Sequence, residues 1–226
     1  MLPSFRSKSL IALLIVILTL GGLPAASAMA DGGPIVTPNG DPLASIYGGV
    51  RFRSFASNIS TLEVFQGSDL NPPSPPGSLV TQNLTWIRPG MNRVTFTYDA
   101  VANTLTSVVN DNTPLVFVGF DPSGPINYMR LVVVERDARS KVDFKHVRLD
   151  GYNLGNFATK TPRPQEGCYT PPGAPPNSWC SWKVTGYDMT DGFTLTGDIK
   201  LVGDFPSTNP ETSKVEIVVG YLPPVP

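Results

Sequence analysis

Apolar and polar side chains alternate along much of this chain. In residues 94–98, Val, Phe and Tyr alternate with Thr, and residues 193–201 and 215–221 repeat the pattern. Residues two positions apart point to the same side of a β-strand, so each stretch predicts a strand with one face buried and one face wet. Gly, Pro, Asn or Asp separates nearly all of these stretches. The pattern therefore predicts an all-β fold, an antiparallel β-sandwich or jelly roll of about 10–11 strands.

Three places depart from plain alternation. Residues 131–134 are apolar without interruption, which predicts a strand that is central or covered on both faces. Along residues 142–149 the alternation slips by one position, and a β-bulge at Lys145 and His146 would return both halves to the core. Gly197 interrupts the inward set of its strand, which indicates a bend or a close approach of the backbone to another group.

The first 30 residues have the layout of a signal peptide. Arg6 and Lys8 precede an apolar run at 10–20, and small residues stand before Asp31. The apolar run is shorter than the ~20 residues of a transmembrane helix, so we expect cleavage and no membrane association afterwards. The predicted location is secreted, extracellular or in the cell envelope.

The remainder is predicted to be one folded domain with flanking segments. Its parts are a flexible lead-in at 31–44, a β-sandwich at 45–222 with a proline-rich disulfide loop at 161–180, and a tail at 223–226. Proline cannot donate a hydrogen bond to a β-ladder, so the proline-rich segments at 71–77 and 161–177 are expected outside the sheets. The whole chain has 17 basic and 18 acidic residues and no basic run, which argues against a nucleic-acid partner.

Both cysteines, Cys168 and Cys180, lie in one proline-rich stretch. The single histidine, His146, leaves a four-ligand zinc site short of donors, and no C-x-x-C redox pair occurs. In an exported chain, two cysteines are expected to form a disulfide, which here would staple the loop.

Strand parity divides the aromatic residues around this staple. Trp182 shares a face with Cys180 and is predicted to lie in the core. Trp179 has the opposite parity and is expected at the lip of the loop near Tyr169. The two rings could stack on a sugar with help from Asn177, or they could pack over the disulfide and close the end of the sandwich.

No catalytic constellation is predicted from the sequence. Glu135 and Asp137 have the spacing of carboxylates that face one cleft in jelly-roll glycosidases, but the interleaved arginines favour an ion-paired surface corner. His146 is expected to be solvated or capped at its bulge, because Asp143 lies on the opposite strand face and no G-x-S-x-G motif occurs.

Acidic turns offer a metal alternative, although we predict no cofactor. Asp188 and Asp191, and the Asn and Asp residues at 110–112, could present oxygen atoms to a structural calcium ion. Ordinary turn chemistry, in which Asp and Asn bond to their own backbone, fits the same residues.

Three segments together resemble the exported bacterial β-sandwich domains known as choice-of-anchor domains. They are residues 92–109, 129–155 and 182–201, and the resemblance spans roughly residues 83–202. It implies a secreted or surface protein and no catalytic residues. The hairpin at 94–105 is also similar to one in legume-lectin-like and concanavalin-type sandwiches, but the calcium- and sugar-binding pattern of those proteins is not recognisable here.

The sequence therefore predicts a secreted or cell-envelope β-sandwich that acts as a structural or adhesion-type interaction module. Its expected partner is a glycan or another surface protein. One alternative is a carbohydrate-binding module that uses Trp179 and Tyr169. A further alternative is a glycoside-active enzyme that uses Glu135 and Asp137.

Overall fold

The computed structural model describes residues 33–38, 44–56, 64–70, 76–161, 166–205 and 212–223. Within these ranges the chain forms fourteen β-strands and no α-helix. The predicted signal peptide lies outside the described residues, as do the last three residues of the predicted tail. No described segment is a helix long and apolar enough to cross a membrane.

In chain order, the strands are β1 (Ile35–Pro38), β2 (Ser45–Arg53), β3 (Val64–Gly67), β4 (Leu79–Gln82), β5 (Gly90–Asp99), β6 (Thr104–Val109), β7 (Leu115–Val118), β8 (Tyr128–Glu135), β9 (Ser140–Leu149), β10 (Tyr152–Ala158), β11 (Cys168–Tyr169), β12 (Trp179–Thr185), β13 (Phe193–Gly203) and β14 (Ser213–Tyr221).

These strands form two antiparallel sheets. Sheet A contains eight strands in the order β1-β12-β8-β14-β2-β3-β4, with β11 also paired to β12. Sheet B contains six strands in the order β10-β9-β13-β5-β6-β7. One continuous cluster of buried side chains draws on both sheets. The predicted antiparallel β-sandwich is confirmed.

Side chains of one parity on each strand build this core. Val94, Phe96 and Tyr98 of β5 are buried, and so are Phe193 and Leu195 of β13, which is the alternation that the sequence predicted. The Phe96 and Phe193 rings meet edge to face, with centroids 5.6 Å apart. Such aromatic pairs add about 0.5–1.5 kcal/mol to the burial of their area.

Fourteen strands exceed the predicted number because several strands are very short. β1, β3 and β4 have four residues each and β11 has two, too few to show a clear alternation. β1 also corrects the predicted flexible lead-in, since Ile35–Pro38 pairs antiparallel with β12 from Thr185 to Trp182. Proline is accepted there because β1 is an edge strand.

Two central strands of sheet A are buried on both faces. The apolar run in β8 predicted this arrangement, and β8 lies between β12 and β14. The expectation that β14 would be wet on one face is wrong, because Lys214, Glu216 and Val218 on its outer face are only 8%, 6% and 3% exposed. β14 lies between β8 and β2, and Leu70 packs over Val218 from outside.

The predicted bulge in β9 is also present. His146 has a φ of 51°, and the register between β9 and β13 shifts between Thr196 and Asp198 opposite it. Gly197 lies at that shift. A side chain is not accommodated there, because a Cβ atom would lie 2.5 Å from Cε2 of Phe144. This glycine is therefore required by a close approach, as the sequence indicated.

Candidate functional site

Cys168 and Cys180 form the predicted disulfide. The two residues of β11 pair with the first two residues of β12, with Cys168 opposite Cys180 and Tyr169 opposite Trp179. The expectation that the proline-rich loop lies wholly outside the sheets is therefore wrong at 168–169. Directly opposite residues of an antiparallel pair have close Cβ atoms, so the disulfide and the short strand support each other.

Trp182 lies in the core, as its parity predicted. It is 6% exposed, and its ring centroid is 4.8 Å from that of Phe157 on β10. The inner side of the staple is therefore part of the same core that joins the two sheets.

Trp179 lies half-buried on the outer face of sheet A beside three other side chains. The Tyr169 ring centroid is 5.8 Å away, and the two ring planes make an angle of 36°. Cζ of Arg136 is 4.9 Å from the Trp179 ring centroid, and Nζ of Lys214 is 5.3 Å from it. These four residues are called the staple surface below. Cation–π attraction of about 0.5–2 kcal/mol per contact holds the indole in place, while Tyr169 remains 53% exposed.

Asn177 organises the loop. Its Nδ2 donates a hydrogen bond to the Thr161 carbonyl at 3.1 Å, and its backbone N–H donates to Oγ1 of Thr170 at 3.1 Å. Its own carbonyl accepts a hydrogen bond from the Lys160 N–H at 2.9 Å. The amide predicted to help bind a ligand is therefore engaged in loop contacts.

Glu135 lies at the centre of a buried polar cluster at the end of β8. Its side chain is 0% exposed, and it accepts hydrogen bonds from Oγ of Ser213 at 2.6 Å and from the Asp137 N–H at 2.8 Å. Nζ of Lys160 is 3.9 Å from Oε1 of Glu135 and donates to the carbonyls of Asp137 and Ser140. The cluster ties the end of β8 to the start of β14 and to the segment after β10.

Burial raises the pKa of Glu135, against the opposing effects of its hydrogen bonds and of Lys160. For Lys160, whose charged form is the protonated one, burial lowers the pKa. Asp137 instead accepts a hydrogen bond from Nε of Arg139 at 3.1 Å, and the bonds from Arg139 lower the pKa of Asp137. The expected ion-paired surface corner is thus present at Asp137. The same expectation is wrong for Glu135, because that residue is buried. A carboxyl group with no exposed surface cannot reach a glycosidic oxygen, so the geometry does not support a glycosidase pair.

His146 has a partner that the sequence did not indicate. Its Nδ1 is 2.9 Å from Oδ2 of Asp198, which lies 52 residues away on β13, and its backbone N–H donates to Oδ1 of Asn156. Asp143, the neighbour in sequence, is instead buried beside lysines of its own strand. The imidazole is oriented on an open sheet face, and the contacts described for His146 include no hydroxyl or thiol to activate.

The acidic turns do not form a ligand group. Oδ1 of Asp188 accepts a hydrogen bond from the Thr190 N–H at 2.9 Å, which is ordinary turn chemistry. Asp191 lines an open cleft of about 360 Å³ with Asp99 and Asp150, and the Asp150 carboxylate already accepts two hydrogen bonds. In the described part of the chain, no group of three or more His, Cys, Asp or Glu side chains is placed to hold a metal ion.

The fold and the staple define a class, the disulfide-bonded antiparallel β-sandwich. Compared with models of known protein families, the chain matches none, and no curated protein matches it. The function of this sandwich is therefore inferred from the arrangement of its side chains.

Proposed function

We propose that this chain is an exported β-sandwich module that acts by binding a partner through the staple surface. The observation that carries the proposal is the aromatic–cation stack, in which Tyr169 is exposed beside a Trp179 ring contacted by Arg136 and Lys214. Tyr, Trp and Arg are the residue types that dominate binding hot spots. The disulfide supports an oxidising compartment outside the cytosol.

The rigidity of the staple surface also favours binding. Cys168–Cys180 fixes the strand that carries Tyr169, and Asn177 holds the loop behind it through three hydrogen bonds. A preformed surface loses little conformational entropy when a partner associates. The staple surface therefore suits an adhesion-type contact with another surface protein.

A carbohydrate-binding module is the second candidate, and the exposure of Tyr169 favours it. The Trp179 ring is already in contact with two cations, so Tyr169 presents the more accessible ring for a sugar. Aromatic faces stack on the apolar face of a pyranose, and the nearby Arg136 would suit an acidic sugar.

Replacement of Tyr169 by Ala tests both candidates. Tyr152 provides a matched control, because it is 50% exposed, lies on β10 of sheet B and also contacts one aromatic ring, that of Tyr187. Wild type, Tyr169→Ala and Tyr152→Ala would be applied to a glycan array and to an array of purified cell-surface proteins. We expect binding that Tyr169→Ala abolishes and Tyr152→Ala preserves.

The two arrays separate the candidates. Tyr169-dependent binding to glycans supports the carbohydrate-binding module, and Tyr169-dependent binding to proteins supports the adhesion-type module. Equal binding by all three proteins would refute the staple surface as the contact, and no binding on either array would refute the proposal.

A further inference from the structure

The outer face of sheet A carries an excess of positive charge. The strand register places five cationic side chains and one carboxylate on this face of the described strands: Arg51, Arg53, Arg130, Lys183, Lys214 and Glu216. The whole chain has a formal net charge of −1, so this excess is local. A surface of this kind attracts anions.

Glu216 is the internal counter-ion of this face. Its Oε2 is 2.7 Å from Nη2 of Arg51 and 3.5 Å from Nζ of Lys214, and its Oε1 is 3.4 Å from Nη2 of Arg130. Burial alone would raise the pKa of Glu216, but Lys214, Arg51 and Arg130 outweigh it and hold the pKa below its ordinary value. One ionised carboxylate thus serves three cations.

Residues 68–70, which follow β3, line a partly open cavity of about 250 Å³ beside this cluster. Leu70 and Val218 both line it and pack against each other. The cavity has charged and apolar lining residues: Arg51, Asp69, Arg130 and Glu216, and Ile46, Leu70 and Val218. With Lys214, which contacts Glu216, three cations face two carboxylates, and the balance remains positive.

Arg130 is the cavity residue with an unsatisfied donor. Its side chain is 32% exposed, but Nε is buried and has no hydrogen-bond partner among the described residues. Its described ion pair, Nη2 to Glu216, is long at 3.4 Å. A buried N–H group without an acceptor costs about 1–3 kcal/mol, and a water or a ligand that supplies an acceptor removes this cost.

We infer that this cavity binds the carboxylate of a small organic acid, sugar acids included, through the guanidinium of Arg130. The planar fork of an arginine matches a carboxylate with two parallel hydrogen bonds. The apolar wall made by Ile46, Leu70 and Val218 would contact the carbon skeleton. A volume of about 250 Å³ lies just below the usual range for drug-sized ligands, which suits a molecule of one sugar unit. This binding site goes beyond the partner contact proposed for the staple surface.

Calorimetric titration of the folded protein with sodium glucuronate tests the inference. Glucose serves as the neutral counterpart of the same size, and sodium sulfate at matched ionic strength tests charge without a carbon skeleton. Arg130→Gln should weaken glucuronate binding at least tenfold, and Arg130→Lys, which keeps the charge but loses the fork, should weaken it by a smaller factor. Lys183→Gln removes a cation from the same face outside the cavity lining and should change affinity less than twofold.

Several results would overturn the inference. These are equal affinity of wild type and Arg130→Gln, glucose binding as tight as glucuronate binding, or sulfate binding as tight as glucuronate binding. If Arg130→Gln does not fold, the NMR signal of the Arg130 Nε–Hε group in the wild type decides. A shift of that signal on addition of glucuronate but not of glucose supports the site, and an unmoved signal refutes it.

Discussion

Glu135 shows, at the scale of the residue, how burial and bonding oppose each other. Its carboxylate accepts hydrogen bonds from Ser213 and Asp137 and faces Lys160, yet burial still raises its pKa. The native state therefore takes up a proton at this site more readily than the unfolded chain does. The stability that comes from this group is present below the ordinary pKa of a glutamate and is lost as pH rises through the raised native pKa.

Glu135→Gln should remove this pH dependence. The free energy of unfolding of wild type minus that of Glu135→Gln, from urea titrations at about pH 4 to 8, should fall as pH rises. Glu166→Gln, the same substitution at an exposed position, is the control. A difference that stays level or increases with pH would contradict the assignment.

Gly197 gives a test of close packing. In Gly197→Ala the new methyl group would lie 2.5 Å from Cε2 of Phe144, and we expect a loss of about 1–3 kcal/mol in the free energy of unfolding. Phe144→Leu in the same chain should recover part of that loss, so that a double-mutant cycle shows coupling. Strictly additive losses would show that the two side chains do not compete for the same space.

At the scale of the element, the long strands could be predicted from the sequence and the short ones could not. β5 and β13 carry ten and eleven residues, and their alternation alone identifies their core faces. β1 and β11 are too short to show an alternating pattern. Both form by pairing with β12, and the disulfide also links β11 to that strand. The contacts of the site could not be predicted either, because they join residues far apart in sequence. Lys214 contacts Trp179, and Asp198 contacts His146, from other strands.

Loss of the staple should affect stability far more than secondary structure. Replacing Cys168 and Cys180 by Ser should lower the free energy of unfolding by about 3 kcal/mol, the chain-entropy value for a loop of this size. Far-UV circular dichroism should change little, because only the two-residue β11 depends directly on the bond. Limited proteolysis should become faster within residues 166–178.

The control for this experiment is the untreated wild type beside its chemically reduced form, which should match the double Ser variant. An unchanged melting temperature would show that the disulfide does not stabilise the fold. A large loss of sheet signal would show that the staple supports much more of sheet A than β11.

At the scale of the whole molecule, one buried cluster draws on both sheets and predicts cooperative unfolding. Trp86 reports on the core near Phe55, with ring centroids 4.9 Å apart, and Trp182 reports on the core near Phe157. Two single-tryptophan variants test this: Trp179→Phe with Trp182→Phe keeps Trp86, and Trp179→Phe with Trp86→Phe keeps Trp182. In each variant, the fluorescence and circular-dichroism transitions in urea should coincide. Separate midpoints within either variant would show that the sandwich unfolds in parts.

The position of β14 has a consequence for how the chain is made. This last described strand lies between β8 and β2, so each of those neighbours finds one row of backbone partners only there. While synthesis proceeds from the amino end, a nascent chain still lacking residues 213–221 lacks the strand that pairs with both β8 and β2, so the backbone hydrogen bonding of sheet A stays in two parts. Sheet A thus becomes one continuous layer only once residues 213–221 are in place.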